Sequence, residues 1–133
     1  MRAVATLAPE VPVLVLAPTE RAPGQARRFL VERFREMGIA DDFVGRIVVT
    51  ELVTNSYKHV GTGLIIVRVF RDERDGLVVI EVWDQGAGLP VVRAEDEDAL
   101  CGRGLLMMAR LVREWDVRPL NEQGKIVRAR LAP

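Results

Sequence analysis

Three groups of residues have the types and spacing to do chemistry. The first is Glu51 with Asn55, four residues apart. On a helix they stand side by side on one face, among the apolar positions Val44, Ile47, Val48 and Leu52. A carboxylate on the core side of a helix costs several kcal/mol, or raises its own pKa, unless it is paired or at work. One reading pairs Glu51 with Arg46 or another basic group at the helix edge. In the other, Glu51 takes a proton from an attacking hydroxyl and the Asn55 side-chain oxygen coordinates Mg²⁺ at a phosphate site. Lys58 and His59 follow one turn on. Lys58 can neutralise phosphate or simply end a helix in solvent. His59 can hydrogen-bond a nucleotide or simply favour the helix C-terminal dipole.

The second group is Asp84-Gln-Gly86-Ala-Gly88-Leu-Pro90. Val78, Ile80 and Val82 share one face of a strand, and the same alternation turns Asp84 inward at its end. There a carboxylate can accept a hydrogen bond from an exocyclic amine. Gly86 and Gly88 let the backbone turn sharply and approach a ligand closely. The third group is Gly102-Arg103-Gly104-Leu105. Two glycines at a helix entry offer free N–H groups to phosphate, and Arg103 can add a charge-assisted contact. Each group by itself is also compatible with an ordinary turn or helix end.

These residues need elements to hold them. A chain of 133 residues supports one domain with one core. We expect residues 1–133 to form that single domain, with residues 1–10 as a flexible tail. Val11 to Ala17 reads as an edge strand, because Pro12 cannot donate to a ladder. Pro23, the rhythm of Ala26, Phe29, Leu30, Phe34 and Met37, and Gly38 define a helix over about Ala22 to Met37. A second helix, capped by Asp41 or Asp42 and ended by Gly61 or Gly63, carries Glu51 and Asn55. Leu64 to Arg71 and Leu77 to Trp83 form a hairpin around Asp75-Gly76. Asp84 to Arg103 reads as a long loop, and Gly104 to Glu114 as a helix. Trp115 to Leu120 and Lys125 to Leu131 form a last hairpin, in which Val127, Ala129 and Leu131 alternate with Arg128 and Arg130. The order predicts an α+β two-layer sandwich: a mostly antiparallel mixed sheet with helices on one face.

Composition removes several classes of function. Basic and acidic residues balance at 19 each, so net charge gives no attraction to nucleic acid or anionic lipid. The apolar run Val11 to Ala17 is far shorter than the ~20 residues of a membrane span, and Pro9, Glu10 and Pro12 spoil a signal peptide. The expected location is cytoplasmic. One cysteine and one histidine can form neither an internal disulfide nor a Cys/His metal site, which leaves oxygen ligands and phosphate to hold any metal.

Taken in order, Glu51-Leu-Val-Thr-Asn55-Ser-Tyr-Lys58-His59, Asp84-Gln-Gly86-Ala-Gly88-Leu-Pro90 and Gly102-Arg103-Gly104-Leu105 resemble the N, G1 and G2 boxes of the GHKL ATPase superfamily. Within it the chain is similar to the short bacterial anti-sigma factor serine/threonine kinases of the RsbW/SpoIIAB type, from about Val11 to Leu131. The resemblance implies a Bergerat ATP-binding fold with Mg²⁺ on Asn55, Glu51 as general base and Asp84 on the adenine amine. Lys58 would approach phosphate, and the segment from Pro90 to Arg103 would form an ATP lid. It also implies a homodimer that phosphorylates an anti-anti-sigma protein of the STAS type and sequesters a sigma factor. Ser56, where alanine is frequent in the family, is read as a conservative departure. The rival reading is a non-catalytic ATP-binding module that sequesters a partner. No dimerisation helix bearing a phosphoacceptor histidine precedes the motifs, which disfavours a sensor histidine kinase. The chain also has no room for the second domain that a gyrase-type hydrolase requires.

Overall fold

The structure, a computed structural model, describes residues 11–60, 63–85, 100–120 and 124–133, with backbone alone for residues 59–60 and 100–105. The elements are β1 (Val13–Leu16), α1 (Ala22–Glu36), α2 (Phe43–Val60), β2 (Ile65–Arg71), β3 (Val78–Asp84), α3 (Leu100–Leu111), β4 (Glu114–Pro119) and β5 (Lys125–Leu131). The five strands make one sheet in the order β1-β2-β3-β5-β4. Every pairing is antiparallel, so the sheet is not mixed. The reason is topological: β3 and β5 run in opposite directions once α3 and β4 have carried the chain across. The expected α+β fold is present, with β1 on the edge where Pro12 put it.

Local chemistry sets the helix ends. In α1, Pro23 lies in the first turn, where its missing N–H costs nothing. The buried stripe Ala22, Ala26, Leu30 and Phe34 faces the core. Gly38 then takes a left-handed φ of 75° and its N–H closes onto the Arg35 carbonyl, which stops the helix as the sequence predicts. The two candidate caps of α2 divide the work. The Asp41 carboxylate accepts from the Phe43 N–H, and Asp42 pairs with Arg46 at 2.8 Å.

The core lies between the sheet and the helices. Val67 and Val69 of β2, Ile80 and Val82 of β3, and Val127 and Ala129 of β5 meet Leu30 and Phe34 of α1 and Val48, Val49, Leu52 and Val53 of α2. Helix α2 packs against α1, α3 and β3, so apolar residues surround most of its circumference. Val49 and Val53, which flank the apolar arc on a wheel, are fully buried for this reason. Gly45 makes the α1–α2 approach feasible: a Cβ there would stand 2.9 Å from Phe34 Cζ and 3.2 Å from Leu30 Cδ2.

The third helix departs from expectation. It starts at Leu100, so Gly102-Arg103-Gly104 lie inside its first turns and not in a loop before it. Glycine in a helix costs about 1 kcal/mol relative to alanine. The helix nonetheless runs through both glycines, and Met108 further along it is fully buried. The remainder of the expected long loop, residues 86–99, lies outside the described residues, as does the tail 1–10. No helix among the described residues is long and apolar enough to cross a membrane.

Replacing Gly45 with alanine tests the helix contact. The gain in helix propensity is about 1 kcal/mol, whereas overpacking a closed core costs about 1–3 kcal/mol. Phe34 is only 2% exposed, and Leu30, the other neighbour of that Cβ, is fully buried. The expected result is a lower urea midpoint at unchanged slope; a higher midpoint would show that the two helices separate easily.

Candidate functional site

The C-terminal half of α2 faces the end of β3, and most of the candidate side chains that are described meet there. Asn55 is buried at 6% exposure. Its Nδ2 donates to the Glu51 carbonyl oxygen at 2.8 Å and to Glu51 Oε2 at 2.9 Å. Two acceptors therefore fix the amide orientation, since a flipped amide would set oxygen against oxygen. As a result Asn55 Oδ1 points the other way, and it is a buried oxygen with no hydrogen-bond partner among the described residues. An orphaned buried acceptor costs about 1–3 kcal/mol, so it calls for an electrophilic partner. A cation of the Mg²⁺ kind fits a neutral oxygen beside a carboxylate.

Glu51 is half-buried, and its pKa lies above the ordinary 4.5. Burial is the main cause, opposed by the Asn55 hydrogen bond and by the charge of Lys58. The carboxylate is thereby a stronger base than a solvated one, and it is held from one side by Asn55. Arg46 is not its partner, because Arg46 is spent on Asp42. Lys58 is exposed one turn further on and acts on Glu51 through charge. His59 lies at the end of α2, with its side chain outside the described residues.

Asp84 is the last residue of β3, turned inward at 3% exposure as the alternation predicts. The Ser56 hydroxyl donates to its Oδ2 at 2.7 Å, and Lys125 Nζ donates to its Oδ1 at 3.0 Å. Both partners are themselves buried. Ser56 adjoins Asn55 on α2, so one helical segment serves the Glu51–Asn55 pair and the Asp84 carboxylate together. Close backbone approach completes the corner. Gly124 adopts a φ of 107°, and a Cβ there would fall 2.3 Å from the Asp84 carbonyl oxygen. Only glycine fits both requirements.

Gly86 and Gly88 lie outside the described residues. Gly102, Arg103, Gly104 and Leu105 are described as helical backbone. All four lie within α3, Leu100–Leu111.

Sequence reasoning missed Ser56 and Lys125. Ser56 was legible only as a small residue, yet its hydroxyl is what orients Asp84. Lys125 carried a stronger signal, since the alternation that buries Val127, Ala129 and Leu131 also buries the residue two positions before Val127. A lysine at an inward strand position needs an anion, and Asp84 lies directly opposite in the register.

Comparison with known proteins gives the family. The family model described as the histidine kinase-like ATPase domain matches residues 16–131. Among curated proteins, none matches the chain significantly.

Two measurements test the site's electrostatics. Removing one member of a buried ion pair costs about 3–5 kcal/mol because the other charge is stranded. Lys125→Met and Asp84→Asn should each lower the urea midpoint, and the double variant should lose less than the two losses combined; strict additivity would mean that the pair is not coupled. For Glu51 the raised folded-state pKa means that the native state binds more protons than the unfolded chain, from pH 4.5 up to that pKa. Stability contributed by this group is therefore lost as pH rises through the window. Glu51→Gln, which keeps an acceptor for Asn55, should be more stable than the parent near pH 7 and lack this component. Identical pH profiles for the two would refute the assignment.

Proposed function

The chain belongs to the histidine kinase-like ATPase domain family and carries its ATP-binding module, and on that premise we propose that it is a serine/threonine protein kinase acting as an anti-sigma factor. In this reading it transfers the γ-phosphoryl group of ATP to a hydroxyl of an anti-anti-sigma protein of the STAS type and sequesters a sigma factor. The partners, the cytoplasmic location and the homodimer rest on the resemblance of the three motifs to the RsbW/SpoIIAB type. The catalytic step rests on one observation: a half-buried base, Glu51, locked against an amide whose Oδ1 is orphaned.

Each residue then has a task. Glu51 accepts the proton of the attacking hydroxyl as its oxygen bonds to the γ-phosphorus and the bond to the leaving ADP oxygen breaks. Burial raises its pKa, which makes the ionised carboxylate a stronger proton acceptor than a solvated one. Asn55 holds Glu51 through Nδ2 and offers Oδ1 to the cation. Bound there, Mg²⁺ supplies charge neutralisation for the phosphate oxygens. Lys58 lies close enough to act on Glu51 electrostatically and is free to turn its ammonium to a phosphate. Gly102, Arg103 and Gly104, in the N-terminal part of α3 as described, face the phosphate in this reading, as the motif resemblance implies. Asp84, aimed inward at the end of the sheet, receives the adenine amine.

Glu51→Gln should reduce transfer from labelled ATP to the co-purified partner by about 10²–10⁴-fold, with ATP affinity little changed. Asn55→Ala should weaken the Mg²⁺-dependent part of ATP binding by at least roughly 10–100-fold, the loss typical of even outer-sphere supports. If Glu51→Gln transfers at the parental rate, the general-base role fails. If the parent binds ATP and its partner without transfer, the chain is the non-catalytic sequestering module.

A further inference from the structure

Resting on the ATP-binding reading above, we infer that Lys125 and Asp84 read the base together, with Asp84 accepting from the N6 amine of adenine and Lys125 donating to N1. The inference starts from burial. The Lys125 side chain is 5% exposed and that of Asp84 is fully buried, at 3.0 Å from each other. An ammonium has three N–H donors. Among the described residues Lys125 gives a hydrogen bond to one acceptor, Asp84 Oδ1. A lysine that needed only to be solvated would reach for water, whereas this one is drawn in at the first residue of β5 and keeps donors to spare.

The surroundings hold the pair in place. Ser56 Oγ secures Asp84 Oδ2 from α2. The register sets Lys125 directly opposite Asp84 on the helix-facing side of the sheet. Gly124, just before Lys125, lies against the Asp84 carbonyl. Acceptor and donor are thus presented side by side from neighbouring strands, with little freedom to rearrange.

This polarity matches one purine edge. Adenine offers a donor at N6 beside an acceptor at N1, the complement of carboxylate beside ammonium. Guanine in the same pose would set O6 against the carboxylate and its N1–H against the ammonium. A buried polar pair that is mismatched twice discriminates strongly. Lys125 is thereby a specificity-determining residue in addition to the counter-ion of Asp84.

The test is calorimetric titration of the full chain with ATP, with 1-deaza-ATP, in which C–H replaces N1, with the triphosphate of purine riboside, which lacks the amine, and with GTP. The parent should bind ATP at least about tenfold more tightly than either adenine analogue, the size expected for one charge-assisted hydrogen bond, and GTP more weakly still. Lys125→Met should bind ATP and 1-deaza-ATP equally while still preferring ATP over the analogue that lacks the amine. Equal binding of ATP and 1-deaza-ATP by the parent overturns the role of Lys125 and leaves ATP binding intact. Failure of the parent to bind any adenine nucleotide overturns the ATP reading and this inference with it. The parent's own analogue series decides the matter even if Lys125→Met does not fold.

Discussion

Burying the Asp84 carboxylate is the constraint around which the corner of this fold is arranged. An ionised group in the interior is tolerated only when its charge and its lone pairs are met. Here β5 supplies the charge through Lys125, and α2 supplies a hydroxyl through Ser56. These two contacts tie together a strand, its neighbour and the overlying helix. They also fix the azimuth of α2. A helix rotated by one residue would withdraw Ser56 from Asp84 and carry Asn55 away from the sheet end. The orientation of the Glu51–Asn55 pair, and with it the orphaned Asn55 Oδ1, therefore follows from how Asp84 is satisfied.

Along the layer between sheet and helices, composition changes in step on three elements. On β3, Val78, Ile80 and Val82 give way to Asp84. On β5, read backwards from Leu131, Ala129 and Val127 give way to Lys125. On α2, Gly45, Val48, Val49, Leu52 and Val53 give way to Asn55 and Ser56. One end of the interior is apolar and close-packed, and the other is polar. The apolar end supplies the burial that drives folding. The polar end spends some of that stability on a raised carboxylate, an unpartnered amide oxygen and an ion pair. A buried ion pair, a half-buried base and an orphaned amide oxygen gathered at one end of the interior mark a binding site more clearly than any single residue does.

Much of this was legible in the sequence, for identifiable reasons. Period-two alternation turned Asp84 inward and gave β5 one buried and one wet face. The helix stop at Gly38 followed from a left-handed residue after an apolar rhythm. Where legibility failed, a long-range effect had overridden a local one. The glycines at 102 and 104 argued for a loop, but the helix runs through them, because glycine lowers helix propensity without forbidding the conformation. The wheel of α2 blurred the core face because the helix is covered from three directions, so Val49 and Val53 are as buried as Val48. Ser56 could not be read as the support of Asp84, since nothing local brings together residues 28 positions apart.

The outer face of the sheet shows how differently the same residue types behave when water is near. Arg68, Glu81 and Arg128 line up across β2, β3 and β5, with Glu81 taking Arg128 at 2.8 Å and Arg68 at 3.6 Å. Arg68 also lies over the Phe70 ring at 4.8 Å from its centre. Two guanidiniums share one carboxylate there, and each stays partly solvated, so the excess positive charge is borne by water and the ring. Between sheet and helices the described partners of Asp84 are themselves buried: Lys125 meets one carboxylate oxygen and the Ser56 hydroxyl donates to the other. A site that must present fixed donors and acceptors to a ligand gains from that second arrangement, because its groups need not reorganise when the ligand arrives.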